Sequence, residues 1–214
     1  MPIYLPRHFE GDLSAARQLM CERPFATLIT ADGDDPWISH VPVLYQPGEQ
    51  EDELGSLLFH LARPNPHNAV LLQGESTLVF HGPDAYISPN DYAEPQQHVP
   101  TWNFATVHAR VRAIPLEGEE ALVAMRQQVK AFEEDATQPW QLDESDARLM
   151  GMFRGISVYR LQITRLTTKF KLSQNRNAED QRRVRLKTTP PAPWGRTCGE
   201  WMQHLQIGTA NPAD

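Results

Sequence analysis

Phe25-Ala26-Thr27-Leu28-Ile29-Thr30, then the polar cluster Asp32-Gly33-Asp34-Asp35-Pro36, then Ile38-Ser39-His40-Val41-Pro42-Val43-Leu44-Tyr45 is the stretch on which the fold turns. Two runs rich in β-branched and aromatic residues flank a cluster of turn formers, so a β-hairpin is predicted. Working outward, further strand-like runs lie at 56–61, 77–81, 104–114 and 156–166. In the run at 104–114, His108, Arg110 and Arg112 alternate with Val107, Ala109, Val111 and Ala113, the two-residue period of a strand with one covered face. Six such runs suggest a sheet closed into a barrel, mainly β with flanking helices.

Helical spacing appears between them. Asp12 can cap a helix carrying Leu13, Ala16 and Met20 that ends before Pro24. Asn65-Pro66 reads as an N-cap followed by proline at the first helical position. At 119–135, Leu122, Met125, Val129 and Phe132 recur at helical intervals and predict one buried stripe. A further helix is expected over 144–153, stopped by Gly155. The basic residues of 165–187 are expected on a strand end and tail. After Thr189, Pro190, Pro191, Pro193 and Trp194-Gly195-Arg196 read as a linker, with Trp201, Met202 and Leu205 beyond it. The organisation expected is a domain over 1–187 and a Pro-rich tail over 188–214.

Composition narrows the function. The 214 residues are 40% hydrophobic and 22% charged, enough for a core. No run approaches eighteen apolar residues, and Met1-Pro2-Ile3-Tyr4-Leu5-Pro6-Arg7-His8 lacks the apolar centre of a signal peptide, so a cytoplasmic protein without a membrane partner is expected. Two cysteines, Cys21 and Cys198, cannot make a disulfide framework and have no neighbouring sulfur ligands. The net charge of −7 conceals a local +6 over 165–187, where eight basic residues face only Glu179 and Asp180, leaving −13 elsewhere. Such a body is a poor general surface for nucleic acid, although the basic strip could face a phosphate or an acidic partner.

Eight histidines show no metal-ligand spacing, so no metal is expected. Ser39 and His40 are adjacent and would point to opposite faces of a strand, which argues against a nucleophile and base pair there. The glycine-rich signatures of P-loop enzymes, dinucleotide-binding dehydrogenases and serine hydrolases are missing. More informative is His60-Leu61-Ala62-Arg63-Pro64-Asn65-Pro66-His67, where a strand ends at an arginine just before a helix start. Free N–H groups and a guanidinium there would suit a phosphate. Val99-Pro100-Thr101-Trp102-Asn103-Phe104 and Lys169-Phe170-Lys171-Leu172-Ser173-Gln174-Asn175-Arg176 concentrate hydrogen-bonding and aromatic groups of the kind that suit a planar, heteroatom-rich ligand carrying a phosphate.

Together these segments resemble the FMN-binding negative transcriptional regulators, the PaiB-like family. The resemblance rests on Tyr4-Leu5-Pro6-Arg7-His8-Phe9, Pro24-Phe25-Ala26-Thr27-Leu28, His40-Val41-Pro42, His60-Leu61-Ala62-Arg63-Pro64-Asn65-Pro66, Gly82-Pro83-Asp84-Ala85-Tyr86-Ile87-Ser88-Pro89, Val99-Pro100-Thr101-Trp102-Asn103-Phe104 with Val107-His108, and Lys171-Leu172-Ser173-Gln174-Asn175-Arg176, in the family's order. It departs from the pattern at residues 90–98, which lack the family's usual Trp-Tyr pair and following lysine.

The resemblance implies an FMN-binding split β-barrel like that of the pyridoxine-phosphate oxidases, working as a homodimer with FMN in clefts between subunits. His40, Val41 and Pro42 would lie along the flavin. His60, Leu61, Ala62, Arg63 and Asn65 would form the turn holding its phosphate. Thr101, Trp102 and Asn103 would wall the ring, with Lys171, Ser173, Gln174 and Arg176 approaching from the same or the other subunit. A regulatory role is implied, with DNA contact open but unsupported by any DNA-reading element. Two alternatives stand beside it. One is a flavin reductase or oxidase, with His60, His67 and Tyr86 as candidate acids or bases; the other is a haem-binding split barrel using His204. Trp194 and Trp201 could dock on a neighbouring subunit.

Overall fold

The computed structural model describes residues 3–50, 53–189 and 197–208. The hairpin predicted at the outset forms. Strand β1 (Phe25–Thr30) pairs antiparallel with β2 (Trp37–Pro42), with Leu28 opposite Ser39. Ala26, Leu28 and Thr30 point to the buried face and Thr27 and Ile29 away from it. The second predicted run does not stay with one partner. It continues beyond Pro42 through Val43 into β3 (Leu44–Gln46), which pairs instead with β4 (Ser56–Ala62).

The chain divides into two units, one made of Pro24–Phe80 and His108–Leu166, the other of the described parts of Met1–Arg23, His81–Val107 and Thr167–Asp214. The first unit is the barrel. The sheet order is β2-β1-β5-β6-β7-β4-β3, with β5 Glu75–Ile87, β6 Thr101–Leu116 and β7 Ile156–Lys171. Since β2 and β3 are separated only by Val43, the two ends of this order are one extended segment. Pairing with β1 on one half and β4 on the other closes the sheet on itself, as six sequence runs suggested. Pro42 lies at the switch, where a residue without an N–H costs the ladder least. Val43 there is buried, and its N–H donates to Pro24 O at 2.9 Å.

In this unit α2 (His67–Leu71) follows β4, α3 (Gly118–Phe132) follows β6 and α4 (Ala147–Phe153) precedes β7. The predicted stripe of α3 is a correction. Ala121, Ala124 and Gln128 are the buried residues, whereas Leu122, Met125 and Val129 are half-buried and Phe132 is exposed. The helix packs its alanines over Leu58, Leu116 and Val158, and small side chains there permit a close approach that leucines would block. Gln128 faces inward because its amide donates to Leu58 O at 2.6 Å. A buried backbone acceptor thus outweighed the apolar periodicity.

The second unit holds α1 (Leu13–Glu22), parts of β5, β6 and β7, α5 (Ala178–Lys187) and α6 (Cys198–His204). Asp12 caps α1 as predicted, accepting from Ala15 N–H at 2.7 Å. Strands β5 and β7 run six and five residues beyond their predicted C-terminal ends, and β6 extends three and two residues beyond its own two ends. The sequence breaks at Gly82-Pro83, yet β5 passes through them. A Cβ on Gly82 would meet Leu19 Cδ1 at 2.7 Å and Ala105 O at 2.9 Å, so this glycine marks close packing rather than a turn. The basic strip is a second correction: α5 takes its distal half, capped by Asn177, whose carboxamide accepts from Asp180 N–H at 2.9 Å. Residues 190–196, including Trp194 and the prolines, lie outside the described residues. Beyond them, Trp201 is fully buried within its own chain and stacks on Phe170, ring centres 5.2 Å apart, rather than waiting for a neighbouring subunit. Among the described residues no helix is long and apolar enough to cross a membrane.

Candidate functional site

The expected ligand residues fall into two groups, one in each unit. In the barrel unit, His40 is exposed on β2, with Nδ1 3.2 Å from Thr27 Oγ1 and its ring over Phe25. Val41 is buried opposite Ala26, and Pro42 lies opposite Phe25. On β4, Leu61 is buried and His60 half-buried, its Nδ1 3.3 Å from Gln128 Oε1.

The turn after β4 is tightly specified. Ala62 O accepts from Asn65 N–H at 2.9 Å and from Asn68 Nδ2 at 2.9 Å. Asn65 Oδ1 accepts from His67 N–H at 3.0 Å, the bond expected of a cap, although regular helix begins only at His67 and lasts five residues. Arg63 is exposed, but its guanidinium is partly committed. Nε donates to Arg154 O at 2.9 Å and Nη2 to Ile156 O at 3.0 Å, while its own N–H donates to Gly155 O at 2.8 Å. A guanidinium carries five N–H donors, so these bonds orient Arg63 and leave donors for an anion. Arg63 also lines a cavity of about 640 Å³ with Leu72, Leu116, Phe153, Ile156 and Tyr159, and no other expected ligand residue reaches that cavity.

Sequence reasoning missed the polar chain beside this turn. His67 is wholly buried, with Nδ1 2.8 Å from Ser39 Oγ and Nε2 2.7 Å from Thr30 Oγ1, which in turn is 2.6 Å from Ser76 Oγ. Ser39 does pair with a histidine, but with His67 rather than His40. The available signal was Thr30 and Ser76, polar residues at inward positions of β1 and β5 that face each other across the ladder. Burial lowers the His67 pKa from its ordinary value. The fold therefore favours neutral imidazole. Stability from this residue is fully present above the unfolded pKa of about 6.5 and is lost as pH falls from there through the lowered folded value. Melting temperature should decline over that acid window, and His67→Gln should flatten this part of the profile; an unchanged slope in the variant would assign the decline to other groups.

In the second unit, Thr101, Trp102 and Asn103 open β6, and Lys171 closes β7. Lys171 Nζ donates to Thr101 Oγ1 and, at 2.6 Å, to Trp102 O. Asn103 and Ser173 are buried and joined by Asn103 Nδ2 donating to Ser173 Oγ at 3.0 Å. Ser173 has φ +70°, the left-handed conformation that turns the chain out of β7. Gln174 is spent inside that turn, its Oε1 accepting from Leu172 N–H at 2.7 Å and its Nε2 donating to Phe170 O. Trp102 is exposed and meets Tyr86 edge-on at 5.9 Å. Arg176 lies over the Tyr92 ring, 5.0 Å from its centre. Burial, then Lys169 and Arg176, push the Lys171 pKa down. His204, the candidate haem ligand, is exposed and packs edge-on against Trp201.

The donor chemistry fits FMN. One group supplies an oriented guanidinium and an imidazole beside an extended strand, and the other supplies a lysine, an arginine, amides and hydroxyls beside an exposed indole. Comparison with known proteins agrees. The chain is 28% identical over 185 residues to protease synthase and sporulation protein PAI 2 of Bacillus subtilis, covering 85% of this chain and 87% of that protein. Among solved structures it is similar to the flavocytochrome Anf3 from Azotobacter vinelandii, with TM-score 0.58, 14% identity, and 87% and 77% of the two chains covered. It is also similar to the FAD and heme binding protein from Mycobacterium smegmatis, with TM-score 0.56, 11% identity, and 84% and 78% covered. At these identities the structural likenesses speak to the fold, and they agree with a mainly antiparallel split barrel carrying a few helices. Residues 3–165 match the family described as "Putative FMN-binding domain", and the chain belongs to that family, with FMN as its cofactor.

Proposed function

We propose that this protein is a cytoplasmic homodimer of the negative-transcriptional-regulator type, in which FMN is a sensed or structural ligand held in clefts between subunits. Strand β2 with His40, Val41 and Pro42 lies along the flavin, and Arg63, fixed by the Arg154 and Ile156 carbonyls, meets its phosphate beside His60, Leu61, Ala62 and Asn65. Thr101, Trp102, Asn103, Lys171, Ser173 and Arg176 contribute from the same or the partner subunit. Gln174 holds the shape of their turn. Bound FMN can accept and donate hydride or single electrons, and the protein's part is to hold and shield it.

The observation that carries a ligand-holding role over an acid–base enzyme is the state of the titratable candidates. Both ring nitrogens of buried His67 are engaged by Ser39 and Thr30, and His60 leans on Gln128. Homodimerisation is supported by the apolar surface of the hairpin, where Phe25 is 64% and Ile38 57% exposed beside Trp37.

The test is titration of apo-protein with FMN and with riboflavin, followed by flavin fluorescence, with mass measured in solution and turnover assayed with a nicotinamide donor. Expected are FMN binding that riboflavin does not match, a dimer, and no turnover. Sustained reduction of a small acceptor would move the assignment to a flavin reductase, and a Soret band from protein purified with haem would move it to a haem carrier.

A further inference from the structure

The second unit contains a small polar recess among Tyr92, Thr101, Asn103, Lys171, Ser173 and Arg176, with Asn175 at its side. We propose that this recess is a binding site for a small oxyanion, a phosphate, sulfate or carboxylate group. The inference rests on the FMN reading only in that the flavin's own phosphate is one possible carrier of that group; a free anion is the other.

Three observations on different atoms agree. The first is the donor balance. The lining carries two cations and several hydroxyl and amide groups but no carboxylate. Lys171 spends two of its three N–H donors on Thr101 and Trp102, and the Arg176 guanidinium rests on the Tyr92 face. Asp180, which bonds the backbone next to Tyr92, is engaged elsewhere. Its Oδ1 accepts from Ala93 N–H at 2.8 Å, and its Oδ2 accepts from Asn177 Nδ2 at 2.9 Å and lies 3.5 Å from His98 Nε2. The second is size. The recess measures about 50 Å³, more than the roughly 30 Å³ share of one water and far less than a flavin ring system requires.

The third observation is Tyr92. Its side chain is fully buried, its hydroxyl has no hydrogen-bond partner, and the residue is part of the recess wall. A phenol removed from water and left unpaired is disfavoured, and the great majority of such groups find a partner. An oxyanion between the phenol and the two cations supplies that acceptor. It also relieves the crowding of positive charge that, together with burial, lowers the Lys171 pKa.

The experiment is calorimetric titration of the full chain with sodium phosphate, sulfate and acetate at constant ionic strength, first without flavin and then loaded with FMN. Saturable one-to-one binding is expected. Tyr92→Phe keeps the packed ring and removes only the hydroxyl, so it should fold with an equal or higher melting temperature and bind the anion about tenfold or more weakly. Arg176→Gln should weaken binding similarly. If FMN excludes phosphate and riboflavin does not, the flavin's phosphate occupies the recess and not the Arg63 turn proposed above; if FMN-loaded protein binds phosphate undiminished, the site takes a free anion. Both support the proposal. It is overturned if wild-type protein binds none of the three anions saturably, or if folded Tyr92→Phe binds them like wild type. Anion binding without FMN binding would sink the flavin reading and leave this one standing.

Discussion

Trp201→Ala is expected to destabilise the protein by about 3–5 kcal/mol, the usual cost of emptying a fully buried tryptophan site. Its indole stacks on Phe170, itself buried near the end of β7, and meets His204 edge-on. Short α6 is held in place by a capping box. Thr197 Oγ1 accepts from Glu200 N–H at 3.2 Å, and Glu200 Oε2 accepts from Thr197 N–H at 2.7 Å. A helix of seven residues has little stability of its own, so its order depends on the indole it buries. For a chain of this size the loss corresponds to a drop of roughly 6–20 °C in melting temperature. Chemical denaturation checks it. Trp201→Phe should recover part of the loss, and a wild-type curve for the alanine variant would show that the segment adds nothing to the packed unit.

Arg63→Ala is expected to act twice. It should weaken FMN binding by about 1.5–3 kcal/mol, the scale of a lost charge-assisted hydrogen bond. It should also lower stability modestly, because the Arg154 and Ile156 carbonyls lose donors that join the end of β4 to the start of β7. Arg63→Lys separates the two effects. The ammonium keeps the charge but cannot span two carbonyls as a planar fork does, so it should restore more of the affinity than of the stability. Riboflavin binding should be the same in wild type and both variants. Unchanged FMN affinity with a lowered melting temperature would make Arg63 a purely structural residue.

Legibility in the sequence followed the range of the interactions. The cap of α1 by Asp12 and the cap-like bond of Asn65 are local, set by residues two or three positions apart, and the residues named them correctly. The fork of Arg63 reaches 91 and 93 positions along the chain and was invisible to any window. Gln128 is similar. Within α3 it breaks no pattern, and only the bond to Leu58 O, 70 positions away, explains why it is buried while Phe132 is not.

By itself, then, the sequence determined the six extended runs, the hairpin and most helix starts, because alternation, turn chemistry and capping are written in neighbouring residues, while the family with its cofactor was legible only through the resemblance of its motifs. Tertiary structure alone decided that residues 37–46 change partner at Val43 to close the barrel, that Ser39 meets His67, and that Tyr92 lines a cationic recess with Lys171 and Arg176. Each of these joins segments tens of residues apart. Which segments meet is settled by burying the whole set of apolar faces at once, and no stretch of the chain carries that information alone.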